Sequence, residues 1–264
     1  MIKIIDHAPR VFLVGVSTPQ PDAIQQYLRY RGETWNVFTD GNIASWPETL
    51  IEIAGRVCYQ SWNNPKKATT GEYIQESIVS HKHGSVLEHV WVNLLVADVC
   101  RSVEMEMIRH GDGTAFSWES QRFTDKHLRF IVPPLYRQDR KLRIVFENIC
   151  GDVSMVYQDI AQFEEGFAVL EGESKLMKRK RSKEAARSIL GNCVGADGLF
   201  SANLRAARHI IQLRTDESAD QSIRETFYEI YRVLADSFPA TFEDAREMEG
   251  FLGVPQVKFA VEKV

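Results

Sequence analysis

The run VLEHVWVNLLV, residues 86–96, is followed almost at once by DVCRSVEMEMIRH, residues 98–110, and this junction constrains the fold most. The first run is β-branched and partly alternating, which predicts a strand. The second has helical spacing, with Asp98 as the expected N-cap and Gly111 just past the end. The expected helix therefore delivers Arg109 and His110 at its C-terminus.

The rest of the chain mixes the two periodicities in the same way. RVFLVGV, from Arg10, predicts a short strand, and SWPETLIEIAGRVCYQSW a helix with Ser45 as N-cap and Pro47 in its first turn. GEYIQESIVSHKHG predicts a further helix, stopped by Gly84. LRFIVPP reads as extended up to Pro133 and Pro134, and GLFSANL as a short strand or turn. Helices are expected at about 138–170 and 174–190, with EGES between them as a hinge by composition. NLRAARHIIQLR and ESADQSIRETFYEIYRVLAD carry apolar residues at three- and four-residue spacing, as helices do. No regular βαβ alternation appears, so the class is α+β or irregular α/β.

A length of 264 residues suits one large domain or two small ones, and 44% hydrophobic residues suffice for a sizeable core. A net charge of −4 gives no bulk attraction to nucleic acid. The basic run MKRKRSK, 177–183, therefore reads as the solvated face of a helix. No apolar run is long enough to span a membrane, and the N-terminus lacks a signal-peptide layout, so a cytoplasmic protein is expected. Cys58, Cys100, Cys150 and Cys193 lack metal spacing, and they read as buried, reduced thiols. No metal site is expected. Neither GxGxxG nor GxxxxGK[ST] occurs, so no dinucleotide fingerprint and no P-loop are present.

Two regions are dense in cationic, hydrogen-bonding side chains. One holds Arg109, His110, Glu119, Ser120 and Arg122; the other runs from Arg187 through Asn203, Arg205, Arg208 and His209 to Arg214. Arg205, Arg208 and His209 stand at i, i+3 and i+4, which predicts one cationic helix face. Arginine forks match phosphate and carboxylate geometry, and Glu119 beside them suits a sugar hydroxyl. Salt bridges to the chain's own 36 acids are the competing explanation.

The order of these blocks resembles the flavin-dependent thymidylate synthases. That family's signature is R-H-R-x-x-S-x-N-E-x-S-x-R-Y, and here RHGDGTAFSWESQRF, 109–123, takes its place. HGSVLEH, 83–89, is similar to the family's His-x-Thr-x-x-Glu-His segment, and AGRVCYQSW to its A-R-V-S-F segment. Asn203 follows Arg187 by sixteen residues and Arg214 follows Asn203 by eleven, as the family spacing requires. FPATFEDA, near the C-terminus, is also similar, so the resemblance covers roughly residues 50 to 245.

The resemblance implies a single domain over 1–264, with a central, mostly antiparallel sheet flanked by helices, in a homotetramer with shared active sites. It implies methylation of a uracil nucleotide at C5, dUMP or UMP, with FAD as cofactor, NADPH as reductant and methylenetetrahydrofolate as one-carbon donor. His83, Ser85, Arg109, His110, Asn203, Arg205 and His209 would meet FAD. Glu106, Glu119, Ser120, Arg122 and Arg187 would hold the nucleotide, and Arg214 would sit at the uracil edge as the catalytic group. No nucleic-acid polymer and no membrane are implied as partners.

The pattern also departs from the family. Gly111 stands where the second arginine is expected, and Gly111-Asp112-Gly113 enters as an insertion. Trp118 replaces an asparagine, Phe123 a tyrosine, Glu106 a glutamine and His209 an asparagine. These changes lead to the expectation of a weaker grip on flavin, and of either a remodelled loop or a different sugar preference. The alternative function is a nucleotide- or flavin-binding regulator on the same scaffold with its chemistry weakened.

Overall fold

The computed structural model describes residues 2–35, 44–63, 69–122, 128–162, 172 and 174–261. Its strands are β1 (Lys3–Ile5), β2 (Arg10–Val16), β3 (Trp91–Cys100), β4 (Thr114–Trp118), β5 (Arg129–Ile131), β6 (Gly195–Asn203), β7 (Ala245–Met248) and β8 (Gln256–Phe259). Its helices are α1 (Pro21–Arg31), α2 (Thr49–Tyr59), α3 (Thr70–Glu72), α4 (Arg101–Met107), α5 (Pro134–Gln138), α6 (Arg140–Gln162), α7 (Lys175–Ala186), α8 (Leu204–Arg214), α9 (Gln221–Ser237) and α10 (Pro239–Phe242).

Four strands form the main sheet, in the order β2-β3-β6-β4. Each neighbouring pair runs antiparallel. Ser17 N–H donates to Trp91 O while Gly15 lies against Asn93. Leu204 N–H reaches Val90 O while Arg101 N–H reaches Val194 O. Asn203 N–H reaches Gly113 O while Glu119 N–H reaches Asp197 O. The β7–β8 pair is also antiparallel, and β1–β5 is parallel. The expected mixed class with a mostly antiparallel sheet is what the chain adopts.

By contact, the residues group into two units. One holds Met1–Arg10, Val96–Arg109 and Ser117–Gly198; the other holds Val11–Leu95, His110–Phe116 and Leu199–Val264. In the first, Phe130, Val132, Phe146, Cys150 and Val194 form a buried cluster, and α6 packs along α7. In the second, α8 packs on α9 and on the 3₁₀ segment Gly84–His89.

Several sequence expectations are corrected. The strand predicted over 86–96 begins only at Trp91, because Gly84–His89 winds as a 3₁₀ turn that buries Val86 and Leu87. That strand then continues to Cys100, so Cys100 and not Asp98 is the N-cap of α4. Ladder pairing to β6 outcompetes the capping preference of Asp98, which sits inside β3 in the left-handed region at φ 59°. Helix α4 ends at Met107, leaving Arg109 and His110 in the following turn. The helix predicted over 71–84 opens at Thr70, is π-wound over Tyr73–Val79, a rare form that is frequent near functional sites, and ends before Gly84, which instead opens the 3₁₀ segment. All four cysteines are free thiols. Cys100 and Cys150 are buried and Cys193 partly so, but Cys58 is exposed on α2. The expected helices at 138–170 and 174–190 are α6 and α7. Of the EGES hinge, Gly172 and Ser174 are described, Ser174 as the N-cap of α7, while Glu171 and Glu173, like Phe123, lie outside the described residues.

Candidate active site

In the second unit the site is built around α8. Asn203 caps it: the side-chain oxygen accepts from Ala206 N–H at 2.8 Å, and its own N–H donates to Gly113 O at 3.0 Å. Leu204 N–H binds Val90 O at 3.0 Å, which ties the start of α8 to the end of the 3₁₀ segment. The Gly111-Asp112-Gly113 turn is thereby fastened to the start of α8. Gly113 has φ 70°, and a Cβ there would lie 2.5 Å from the Asn203 amide nitrogen, so a side chain is excluded twice over.

The other end of α8 is tied to the same turn. Arg214 Nε donates to His110 Nε2 at 2.7 Å, and the His110 carbonyl accepts from the Thr114 hydroxyl. An Nε2 that accepts must carry its proton on Nδ1. Burial, then the Arg214 charge, then His209, push the His110 pKa from 6.5 to about 4. The imidazole is neutral at pH 7 and orients the guanidinium without adding a second positive charge. A depressed histidine pKa means that the unfolded chain takes up this proton first as pH falls. His110 therefore withdraws stability as pH drops from 6.5 through about 4 and has no such effect above 6.5. We expect His110→Gln to flatten the dependence of Tm on pH in that window, and an unchanged slope would show that His110 is not its source.

Arg205 and His209 lie exposed on α8, and Arg205 Nη1 pairs with Glu88 at 2.6 Å. His83 and Ser85 are exposed on the adjoining segment, where the His83 ring meets Tyr59 edge-on at 6.0 Å and stacks with His81 at 6.1 Å. Arg208 departs from the expected cationic face. It is buried and forks onto Asp244 at 2.7 and 3.1 Å, so its charge belongs to the core.

The first unit holds the remaining predicted residues. Glu106 stands in the last turn of α4, and Arg109 follows, exposed, with its N–H on Glu106 O. Glu119 is fixed at three atoms. Its N–H reaches Asp197 O at 2.9 Å, its carbonyl accepts from Arg101 Nη2 at 2.6 Å, and its Oε2 accepts from Arg129 at 2.6 Å. The Ser120 hydroxyl accepts from Arg122 N–H at 3.3 Å. Arg122 pairs with Glu184, one turn before Arg187 on α7, and Arg187 is exposed at that helix's C-terminal end. Glu119, Ser120 and Arg122 thus share one short segment, and Glu184 draws that segment to the end of α7 that carries Arg187.

Arg129, Asp197, Asp98, Arg101, Glu88 and Glu184 were not anticipated. Some signal existed: Arg129 interrupts the apolar LRFIV, and Asp197 is the one acid in the strand Gly195–Asn203.

A four-stranded antiparallel sheet, and a capped arginine helix beside a His-Gly-Asp-Gly turn, frame a candidate site dense in hydrogen-bond donors. The comparisons give its class. The family described as thymidylate synthase complementing protein matches residues 43–240. The flavin-dependent thymidylate synthase of Mycobacterium tuberculosis (strain ATCC 25618 / H37Rv) is 36% identical over 214 residues, 80% of this chain and 82% of that protein. That of Mycobacterium avium (strain 104) is 37% identical over the same shares. Among solved structures, the UMP/dUMP methylase PolB from Streptomyces cacaoi, bound with 5-Br dUMP, has a similar fold, with TM-score 0.61 and 18% identity. It covers 91% of this chain and 95% of that one. Thymidylate synthase X from Helicobacter pylori, with FAD and dUMP, gives TM-score 0.53 at 15% identity, covering 89% and 95%. The chain belongs to the flavin-dependent thymidylate synthase family. It is a thymidylate synthase-type methyltransferase.

Proposed function

We propose that the chain methylates a uracil nucleotide, dUMP, UMP or both, at C5, with FAD as cofactor, methylenetetrahydrofolate as one-carbon donor and NADPH as reductant. The observation that carries this reading is Arg214 at the end of α8, its Nε held by neutral His110. A guanidinium so fixed is suited to stabilise the negative charge that develops on the uracil ring as C5 becomes nucleophilic.

The residues fit a flavin dinucleotide. Exposed Arg205, His209, His83 and Ser85 offer donors for phosphates and ring edges, and this reading adds Asn203, Arg109 and His110 to the flavin set. Bound FAD supplies a hydride. Glu106, Glu119, Ser120, Arg122 and Arg187 hold sugar and phosphate in this reading, with Arg214 at the base. Residues 1–264 act as one functional domain, in a cytoplasmic homotetramer with shared active sites. Among the described residues no helix is long and apolar enough to cross a membrane. The PolB likeness supports UMP beside dUMP, because a pocket rejects an added hydroxyl poorly by packing alone.

The test is a product assay of dUMP against UMP with FAD, NADPH and methylenetetrahydrofolate. We expect a yellow protein, NADPH oxidation that depends on the nucleotide, and a C5-methylated product. The internal pairings of Glu119 with Arg129 and Arg205 with Glu88 favour a second reading, a nucleotide-binding regulator. That reading predicts nucleotide binding without oxidation or product. Failure to bind FAD, dUMP and UMP would remove both.

A further inference from the structure

Glu119 is held by an organised network in the first unit. Arg129, from β5, donates Nη2 to Glu119 Oε2 at 2.6 Å and Nη1 to Asp197 Oδ2 at 2.9 Å. The second Asp197 oxygen accepts from Asp98 N–H at 3.0 Å, and the Asp98 carboxylate lies 3.9 Å from Arg129. His7 stands 3.8 Å from Asp98 on its other side. The network rests on a strained residue: Asp98 takes φ 59° inside a ten-residue strand. A non-glycine residue in that region costs free energy and persists only where its surroundings over-determine it. What this arrangement achieves is an Asp98 N–H on Asp197, which in turn fixes one arm of the Arg129 fork. The Arg129 and Glu119 side chains are largely removed from water, so the pairing is little screened.

We propose that Arg129 is a positioning residue for nucleotide recognition: it holds Glu119 turned so that Oε1 accepts from a sugar hydroxyl of the substrate. The inference rests on the reading that Glu119 meets the nucleotide. A glutamate has several rotors, and an unanchored one loses entropy when it binds a hydroxyl. With Oε2 on Arg129, the N–H on Asp197 and the carbonyl on Arg101, that ordering is complete before substrate arrives. Asp197 and Asp98 act one step further out, by fixing the arginine.

The test is titration calorimetry of dUMP and of UMP on the full-length protein in the presence of FAD. Arg129→Met is expected to weaken both nucleotides by about tenfold to a hundredfold, the effect of losing a charge-assisted contact. FAD affinity stays at the parent value, and Arg129→Lys recovers part of the loss. Parent-like nucleotide affinity in Arg129→Met overturns the proposal. Glu119→Gln separates the two claims. If it weakens nucleotide binding while Arg129→Met does not, the positioning role fails and the function stands. If neither variant weakens binding, the placement of Glu119 against the nucleotide fails as well. Should Arg129→Met not fold, Asp197→Asn, which loosens only one arm of the fork, is expected to weaken dUMP in the same direction. Unchanged affinity there overturns the proposal equally.

Discussion

Arg214→Ala lowers kcat for uracil-nucleotide methylation by about 10²–10³-fold, the range found when one preorganised donor to developing charge is removed. The loss falls on kcat more than on nucleotide KM, because the charge on the ring exists only as C5 turns nucleophilic. Arg214→Lys recovers only part of the loss. A lysine keeps the charge, but it has no Nε to donate to His110 and no planar fork to lie along a base edge. The measurement is steady-state kinetics with dUMP and with UMP, alongside an FAD titration. A kcat close to the parent's in Arg214→Ala would remove the arginine from the chemistry. Unchanged FAD binding is part of the expectation, since the flavin contacts are assigned to other residues.

Much of this site was legible because it is local. Asn203 precedes an apolar-periodic run, and it caps α8 as that position predicts. Arg214 falls at the end of the same run, and the spacing from Arg187 through Asn203 to Arg214 matches the family pattern. What failed was long-range. Nothing in DVCRSVEMEMIRH reveals that Val99 and Cys100 remain in the strand, because Arg101 N–H is taken by Val194, far along the chain. Nothing in LRFIVPP reveals that Arg129 turns toward Glu119 and Asp197. The three-and-four rule places Arg205, Arg208 and His209 as neighbours on α8. It does not say which neighbour the core claims, and that depends on Asp244 in a distant hairpin. The Gly-Asp-Gly turn, which breaks the family signature, is joined to both ends of α8 through Gly113 and His110. The turn is therefore part of the frame that holds α8.

Asp244→Ala is expected to cost about 3–5 kcal/mol of folding stability, the range for stranding one member of a buried ion pair. The pair is bidentate and buried on both sides, at 2.7 and 3.1 Å. Arg208 also donates to the Thr241 carbonyl and lies 4.0 Å from the centre of the Phe259 ring. Asp244 further accepts from Val261 N–H at 3.2 Å, and Thr241 anchors to buried Glu48 through its N–H and hydroxyl at 2.6 and 2.7 Å. Alanine at 244 leaves the guanidinium buried without its counter-charge, and deprives Val261 of its acceptor. The double variant Arg208→Met/Asp244→Leu should recover most of the loss, because well-packed apolar residues replace a buried pair at little or no net cost. Urea unfolding of the parent and the two variants measures this. A single-variant loss no larger than the ~0–1 kcal/mol of a surface pair would mean that water reaches the arginine. The consequence reaches the chemistry through geometry. Arg208 is one of the buried residues that fasten α8 to the core, and exposed Arg205 and His209 flank it on the same helix. Loosening the grip should weaken flavin binding in Asp244→Ala, and repacking in the double variant should restore it together with stability.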